Sequence, residues 1–261
     1  VFLLFNSDSI FVNQTNKQYL FTKNDLDKYE INKDEVILLG SFEDIHYFAL
    51  SIKASHENLL DIPLREFVQL DYLKEDMYGI LAQANSVLNW HKSHQFCSFC
   101  GDVTTMKLSG WRRDCNTCKR EHFPRVDSVV IMLVTYDDYC LIGRGVNFKE
   151  NRYSCLAGYV ESGETLEDAS RRELYEEAGI KGLDVTYISS QPWPFPSTLM
   201  VGMHVIANSQ ELKLDTHEIA DAKWVHKSEM KKILSGDESF GYSVPDSIAI
   251  GRNLLEVWVS Q

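Results

Sequence analysis

Four cysteines constrain this chain more tightly than any other feature. They form Cys97-Ser-Phe-Cys100 and Cys115-Asn-Thr-Cys118, two short knuckles separated by fourteen residues. Two such turns bring four thiolates to the corners of a tetrahedron, the geometry a structural zinc accepts, and the filled shell leaves no position for a reacting water. A disulfide pair or a redox dithiol is the competing reading of the same residues. The insert runs over residues 96–124 and closes on Phe123-Pro124. It divides the chain into an N-terminal domain (1–95), a cysteine ribbon (96–124) and a C-terminal domain (125–261). Cys140 and Cys155 lie in or beside apolar runs and read as buried, unreactive packing residues.

A ribbon of this kind either touches nucleic acid or pins two domains or a dimer interface. Charge favours the second: 26 basic against 38 acidic residues leave a net −12, which repels polyanions at long range. An anionic substrate then needs a local cationic bridge, and bound divalent metal supplies one. The longest early apolar run, residues 1–5, is far too short to span a bilayer. The expectation is a soluble, cytoplasmic protein with no membrane partner.

Short apolar runs at 1–5, 19–22, 36–39 and 47–52 alternate with Asn, Asp and Lys-rich turns, which predicts a small antiparallel sheet over 1–55. Leu73, Met77, Ile80, Leu81, Ala84, Val87 and Leu88 recur at three and four, predicting helix between residue 63 and about residue 94. Beyond the ribbon, 129–135 and 139–142 read as a hairpin around Asp137-Asp138, and 199–207 and 222–225 as further strands. A final amphipathic helix is expected over 246–259, its start capped by Ser or Asp.

Residues 158–180 read as a loop feeding a helix over 165–178. Thr165 and Asp168 resemble a capping box, and Gly179 supplies the left-handed stop. On that helix Glu173, Glu176 and Glu177 stand at i, i+3 and i+4, so three like charges share one face. A solvated acidic helix is the bland reading. Repulsion at this spacing instead calls for a cation, and Arg172 alone cannot neutralise three carboxylates. Hard oxygen ligands favour Mg2+ or Mn2+ over the thiolate-loving Zn2+ of the ribbon.

The spacing Gly158, five residues, Glu164, seven residues, Arg172-Glu173-Leu174, one residue, Glu176-Glu177, one residue, Gly179-Ile180 resembles the Nudix box at every fixed position. The resemblance implies an α+β chain whose C-terminal domain is a Nudix α/β/α sandwich with a mixed sheet, preceded by a zinc ribbon and a small α+β N-terminal domain. It implies hydrolysis of a nucleoside diphosphate linked to another group. Glu173 and Glu177 would be the principal metal ligands and Glu176 a further ligand or the water-activating base. Arg172 would orient the carboxylates, Glu164 would brace the loop, and the Ala157 carbonyl would add a ligand.

A second motif, Ser190-Gln191-Pro192-Trp193-Pro194-Phe195-Pro196-Ser197-Thr198, resembles the signature of the NADH pyrophosphatase subfamily, with Thr198 where that subfamily carries Ser. Three prolines in five positions stiffen the segment, so Trp193 and Phe195 are presented with little entropy left to lose, which suits a flat base. Filling the core is the alternative for those rings. By the same resemblance Gln191 to Thr198 would bind substrate, and Glu218 would be a downstream metal ligand. Tyr159 and Phe123 would lie near the substrate, with Arg65 and Ala249 as weaker matches.

The reading is metal-dependent cleavage of NAD(H) to AMP and nicotinamide mononucleotide by a homodimer, two or three Mg2+ or Mn2+ ions activating the water. One rival keeps the chemistry and takes NAD-capped RNA as substrate, with Lys119, Arg120 and Arg125 steering it. Another is a non-catalytic, zinc-ribbon regulator that binds nucleic acid or senses a ligand.

Overall fold

The computed structural model describes residues 1–52, 58–70, 73 and 76–261. The chain divides into two compact units: Val1–Val126 together with Pro192–Thr198, and Asp127–Gln191 together with Leu199–Gln261.

The first unit contains β1 (Phe2–Asn6), β2 (Ser9–Asn13), α1 (Lys23–Leu26), β3 (Ile37–Phe42), β4 (Ile45–Ser51), β5 (Leu59–Pro63), α2 (Leu64–Phe67) and α3 (Met77–Ser93). Its five strands run in the order β3-β4-β1-β2-β5. The predicted sheet is present, but it is mixed and not purely antiparallel. Glu43 and Asp44, both left-handed at φ 49° and 61°, turn β3 tightly into β4. The β1–β2 hairpin then lies beside that hairpin with β1 parallel to β4, Phe2 opposite Phe48 and Leu4 opposite Leu50. β2 escaped prediction. The run at 19–22 forms only a single bridge, Phe21 to Phe2.

Met77, Leu81, Ala84, Val87 and Leu88 of α3 pack on Leu3, Phe5, Ile10 and Val12, as their spacing requires. The helical stretch is not continuous: α2 ends at Phe67 and α3 starts at Met77, while 71, 72, 74 and 75 lie outside the described residues.

The ribbon adds β6 (Thr104–Lys107), β7 (Arg112–Cys115) and β8 (Glu121–His122), a small antiparallel sheet. It is bound into the first unit by polar contacts. His91 Nε2 lies 2.7 Å from the Gly110 carbonyl, Arg113 Nη1 lies 3.0 Å from His91 Nδ1, and Trp111 Nε1 donates to the Leu38 carbonyl at 2.7 Å.

The second unit is built from β9 (Asp127–Tyr136), β10 (Tyr139–Gly145), β11 (Leu156–Tyr159), α4 (Leu166–Ala178), β12 (Gly182–Trp193), β13 (Thr198–Ala207), β14 (Ile219–His226), α5 (Lys227–Leu234) and α6 (Ile250–Ser260). Strand order is β12-β13-β9-β10-β14, with β11 also antiparallel to β9. Alternation along the strands makes a three-layer sandwich. Ile131, Leu133, Cys140 and Ile142 face Ile250, Leu254, Leu255 and Trp258 of α6, while Met132, Val134, Leu141 and Leu156 face Leu174 and Ala178 of α4.

The last helix begins at Ile250, four residues later than its apolar spacing suggests, and no side chain of its own segment caps it. Gln191 does so instead: its Oε1 accepts from the Ile250 N–H and its Nε2 donates to the Ile248 carbonyl, both at 2.8 Å. A cap supplied from a distant strand leaves no local signal. Among the described residues no helix is long and apolar enough to cross a membrane.

Candidate metal centre and active site

The carboxylate helix is held at both ends as expected. Thr165 Oγ1 accepts from the Asp168 N–H at 3.1 Å, and Gly179 takes φ 72° while its N–H donates to the Tyr175 carbonyl. Asp168 receives the Thr165 hydroxyl at 3.0 Å, so the reciprocal half of the capping box is made side chain to side chain.

Arg172 organises the acidic face. Its Nε and Nη2 grip Glu164 at 2.6 and 2.9 Å, Nη1 reaches Glu173 and Glu176 at 2.9 Å each, and Nη2 also donates to the Tyr159 carbonyl at 2.8 Å. One guanidinium thus engages three carboxylates. Those three are Glu164, Glu173 and Glu176, so of the glutamates that share the helix face Glu177 receives no bond from Arg172. Glu164 is held down to about 2 chiefly by this hydrogen bond, and it accepts the Glu161 N–H at 2.9 Å, bracing the loop.

Glu177 is left out of the network. It is 6% exposed, and its Oε2 is buried with no hydrogen-bond partner. Burial first, then the charges of Glu173, Glu218 and Glu176, push its carboxyl from 4.5 to about 8. Burial foremost also raises Glu173. Glu218 is exposed in the turn before β14 and acts on both groups electrostatically. An orphaned buried carboxylate beside two more, all hard oxygen donors, fits a divalent cation such as Mg2+ or Mn2+. Glu173 and Glu176 turn towards Arg172, and among the described residues the group of three or more side chains already gathered as a metal would need is that of the four cysteines, whose sulfurs lie within 4.8 Å of one another.

Those cysteines pair as Cys97–Cys118 at 3.6 Å and Cys100–Cys115 at 3.4 Å between sulfurs, close to the ~3.8 Å edge of a Zn–S4 tetrahedron. The ribbon is a structural zinc site by its ligand set. Cys140 and Cys155 are buried as expected, and burial pushes the Cys155 thiol up to about 12.

Ala157 precedes Gly158 in β11, opposite Ile131 of β9, and Tyr159 follows, 63% exposed. Pro192 to Thr198 belongs to the first unit. There Trp193 and Phe195 meet edge to face at 5.3 Å, and the Arg65 guanidinium sits 4.4 Å from the Phe195 centroid and 5.8 Å from that of Trp193. The Phe195-Pro196 peptide is cis, and Ser197 follows it in the turn leading to β13. Phe123 is exposed on the ribbon. Ala249 stands at the N-cap of α6, beside the Gln191 clamp.

One residue of this region was missed. Asn85, 1% exposed inside the apolar face of α3, donates from Nδ2 to the Pro194 carbonyl at 2.8 Å. The signal was an amide flanked by core positions, which has to find a partner.

The NUDIX domain model matches residues 124–244, the NADH pyrophosphatase-like rudimentary NUDIX domain matches 1–90, and the NADH pyrophosphatase zinc ribbon domain matches 92–123. The NAD-capped RNA hydrolase NudC of Stutzerimonas stutzeri is 32% identical over 225 residues, covering 85% of this chain and 77% of its own. The chain belongs to the Nudix hydrolase family. Within it, the chain carries the NADH pyrophosphatase-type N-terminal domain and zinc ribbon ahead of the Nudix domain. The human NAD-capped RNA hydrolase NUDT12 is 40% identical over 82% of this chain, and the Nudix hydrolase 19, chloroplastic, of Arabidopsis thaliana is 37% identical over 79%. The chain spans about half the length of these last two relatives.

Proposed function

We propose that this Nudix hydrolase cuts the pyrophosphate bond of NAD(H), releasing AMP and nicotinamide mononucleotide, reduced when NADH is the substrate. The observation that carries the reading is Glu177: a buried carboxylate with an unpartnered oxygen, facing the charges of Glu173 and Glu218, on a helix whose two arginines are committed elsewhere, Arg171 to Asp168 and Arg172 to Glu164, Glu173 and Glu176. In this reading Glu173 and Glu177 hold Mg2+ or Mn2+, with Glu218, Glu176 and the Ala157 carbonyl as further donors. Such an ion supplies Lewis acidity, offsetting phosphate charge and making water a stronger acid.

The chain's own groups do the rest. Arg172 fixes the rotamers of Glu173 and Glu176 through two 2.9 Å bonds, so the donors are in place before substrate arrives. Glu176, more exposed than Glu173 and bonded to Arg172 through Oε2 alone, would use its other oxygen to take a proton from the attacking water. The water oxygen bonds to one phosphorus, the bridging P–O bond breaks, and the departing phosphate keeps the electron pair. No covalent enzyme intermediate is needed. Trp193 and Phe195 offer flat faces to a base, and Arg65 carries positive charge beside them. Tyr159 and Phe123, both exposed, are the further aromatic contacts, and Gln191 and Ala249 shape the start of α6. The homodimer and the division at 1–95, 96–124 and 125–261 belong to the same reading.

Removal of NAD caps from RNA uses the same cut, and the names of the relatives favour it as a second substrate class. Turnover of free NADH and of a capped transcript, each measured against salt and against Mg2+ and Mn2+, tests both. NADH left intact at every metal concentration would end the first reading. Capped-transcript cleavage that fades with salt while NADH cleavage does not would favour the second.

A further inference from the structure

Two of the proposed metal donors lie outside α4, on separate segments. The Ala157 carbonyl belongs to β11, and Glu218 stands in the turn that opens β14. A ladder of polar and aromatic side chains joins those segments. Asp221 and Lys223, two residues apart on β14, share the face of the sheet that Val225 turns towards α6. Tyr153, buried and four residues before Ala157, donates its hydroxyl to Asp221. The Lys223 ammonium lies 4.0 Å from the same Asp221 oxygen and over two rings, 4.1 Å from the Tyr153 centroid and 4.4 Å from that of Tyr242. Those rings meet edge to face at 5.4 Å, and the Tyr242 hydroxyl donates to Glu229 at 2.7 Å. Backbone bonds reinforce the join: the Tyr153 N–H donates to the Ser243 carbonyl at 2.9 Å, and Ser154 and Gly143 exchange two bonds at 2.8 and 2.9 Å.

β14 closes one side of its sheet, and a lysine on such a strand ordinarily leaves its charge in water. Lys223 is instead half-buried, held by two ring faces and a carboxylate, and a cation–π contact strengthens as water is displaced from it. We propose that Lys223 is a positioning residue of the metal centre, clasping Tyr153 to β14 so that Ala157 and Glu218 keep a fixed separation. The inference rests on the reading of those two groups as metal donors. Arg172 holds the carboxylates of α4 in place, and Lys223 does the same for the donors that α4 does not carry. Without the ammonium, Tyr153 keeps its bond to Asp221 but loses the ring contact that sets its distance from β14, and Asp221 loses its counter-charge. Metal affinity then falls, because outer groups that orient the donors are part of the site.

Lys223→Met keeps the length of the side chain and removes the charge, while Lys223→Arg returns a cation to the two rings. Mn2+ binding to each zinc-loaded chain, read from the loss of the free-ion EPR signal, is expected to weaken about tenfold in Lys223→Met and to recover to within about threefold of the parent in Lys223→Arg. KM for NADH at saturating Mn2+ should change by less than about twofold. Equal Mn2+ affinity in Lys223→Met and the parent, with only the unfolding midpoint lowered, would reduce the ladder to a stability device and overturn the proposal. If Lys223→Met fails to fold, Tyr153→Phe, which keeps the ring and drops the bond to Asp221, decides by the same titration. A parent chain that binds no Mn2+ would end the metal reading itself. Amide exchange without divalent metal then still decides on Lys223: segments 152–158 and 217–223 should quicken in Lys223→Met while α4 does not, and unchanged exchange would overturn its role.

Discussion

The Glu173 carboxylate occupies the space a side chain on Gly158 would need: a Cβ there would lie 1.8 Å from Glu173 Cδ and 2.1 Å from each oxygen. Backbone angles do not demand this glycine, since it is absent from the positive-φ positions. Close approach of helix to strand does, since it brings the Glu173 carboxylate against β11 at Gly158. Gly158→Ala is expected to expel Glu173 from that cradle, cutting turnover 100-fold or more. The cost to stability should be only about 1–3 kcal/mol, the range for overpacking. Steady-state rates and a denaturant titration separate the two, and near-normal turnover would mean the cradle has no catalytic importance.

Glu177 links the site to pH. Its carboxyl is raised in the folded chain from 4.5 to about 8, so between those values the folded state binds more protons than the unfolded one. The stabilising contribution of the neutral acid is present below about pH 4.5 and is lost as pH climbs through about 8. The loss is of the order of 4–5 kcal/mol at most in the absence of divalent metal. Glu177→Gln should flatten that slope while removing most turnover. Saturating Mg2+ should also flatten it in the parent chain. Chemical unfolding at pH 5 and pH 8.5, with and without Mg2+, checks the sign, and equal metal-free stability at both values would contradict it.

Local pattern made much of this legible. Thr165, Gly179 and the i, i+3, i+4 glutamates are set by helix geometry, and the structure places them as the spacing requires. The knuckles likewise read directly from their spacing. What stayed hidden depends on partners far away in sequence. The bond from Arg172 to Glu164, made where the loop folds back over eight residues, follows from the motif resemblance and not from helix geometry. Gln191 caps a helix 59 residues downstream. β1 lies parallel to β4, a pairing between hairpins that alternation within a strand cannot specify.

Zinc removal should act first on the first unit. His91, Arg113 and Trp111 join the ribbon to α3 and β3, so loosening the knuckles frees buried polar groups there, including His91, which burial pushes down to about 4. Stripping the metal, or changing Cys97 to Ser, is expected to lower stability by several kcal/mol. Amide exchange should quicken in α3 well before it does in α4. Exchange mass spectrometry on zinc-loaded and stripped protein reads this out, and uniform exchange in both helices would refute it.

The proline-rich loop offers the sharpest separation of binding from chemistry. Asn85 spends its amide N–H on the Pro194 carbonyl at 2.8 Å, and its own Oδ1 accepts from Asn89 at 3.2 Å. Asn85→Leu keeps the branched shape but leaves that carbonyl unpaired, a penalty of about 1–3 kcal/mol where the group is buried. The loop can relieve the penalty by shifting, which would displace Trp193 and Phe195 from their edge-to-face arrangement and from Arg65. If those rings grip the base of the substrate, Asn85→Leu should raise KM for NADH about tenfold while kcat falls less than threefold. The response of turnover to Mg2+ should be unmoved. A fall in kcat with unchanged KM would show instead that the loop acts on the reacting phosphates, and the aromatic pair would then have to be read as core and not as a platform for a base.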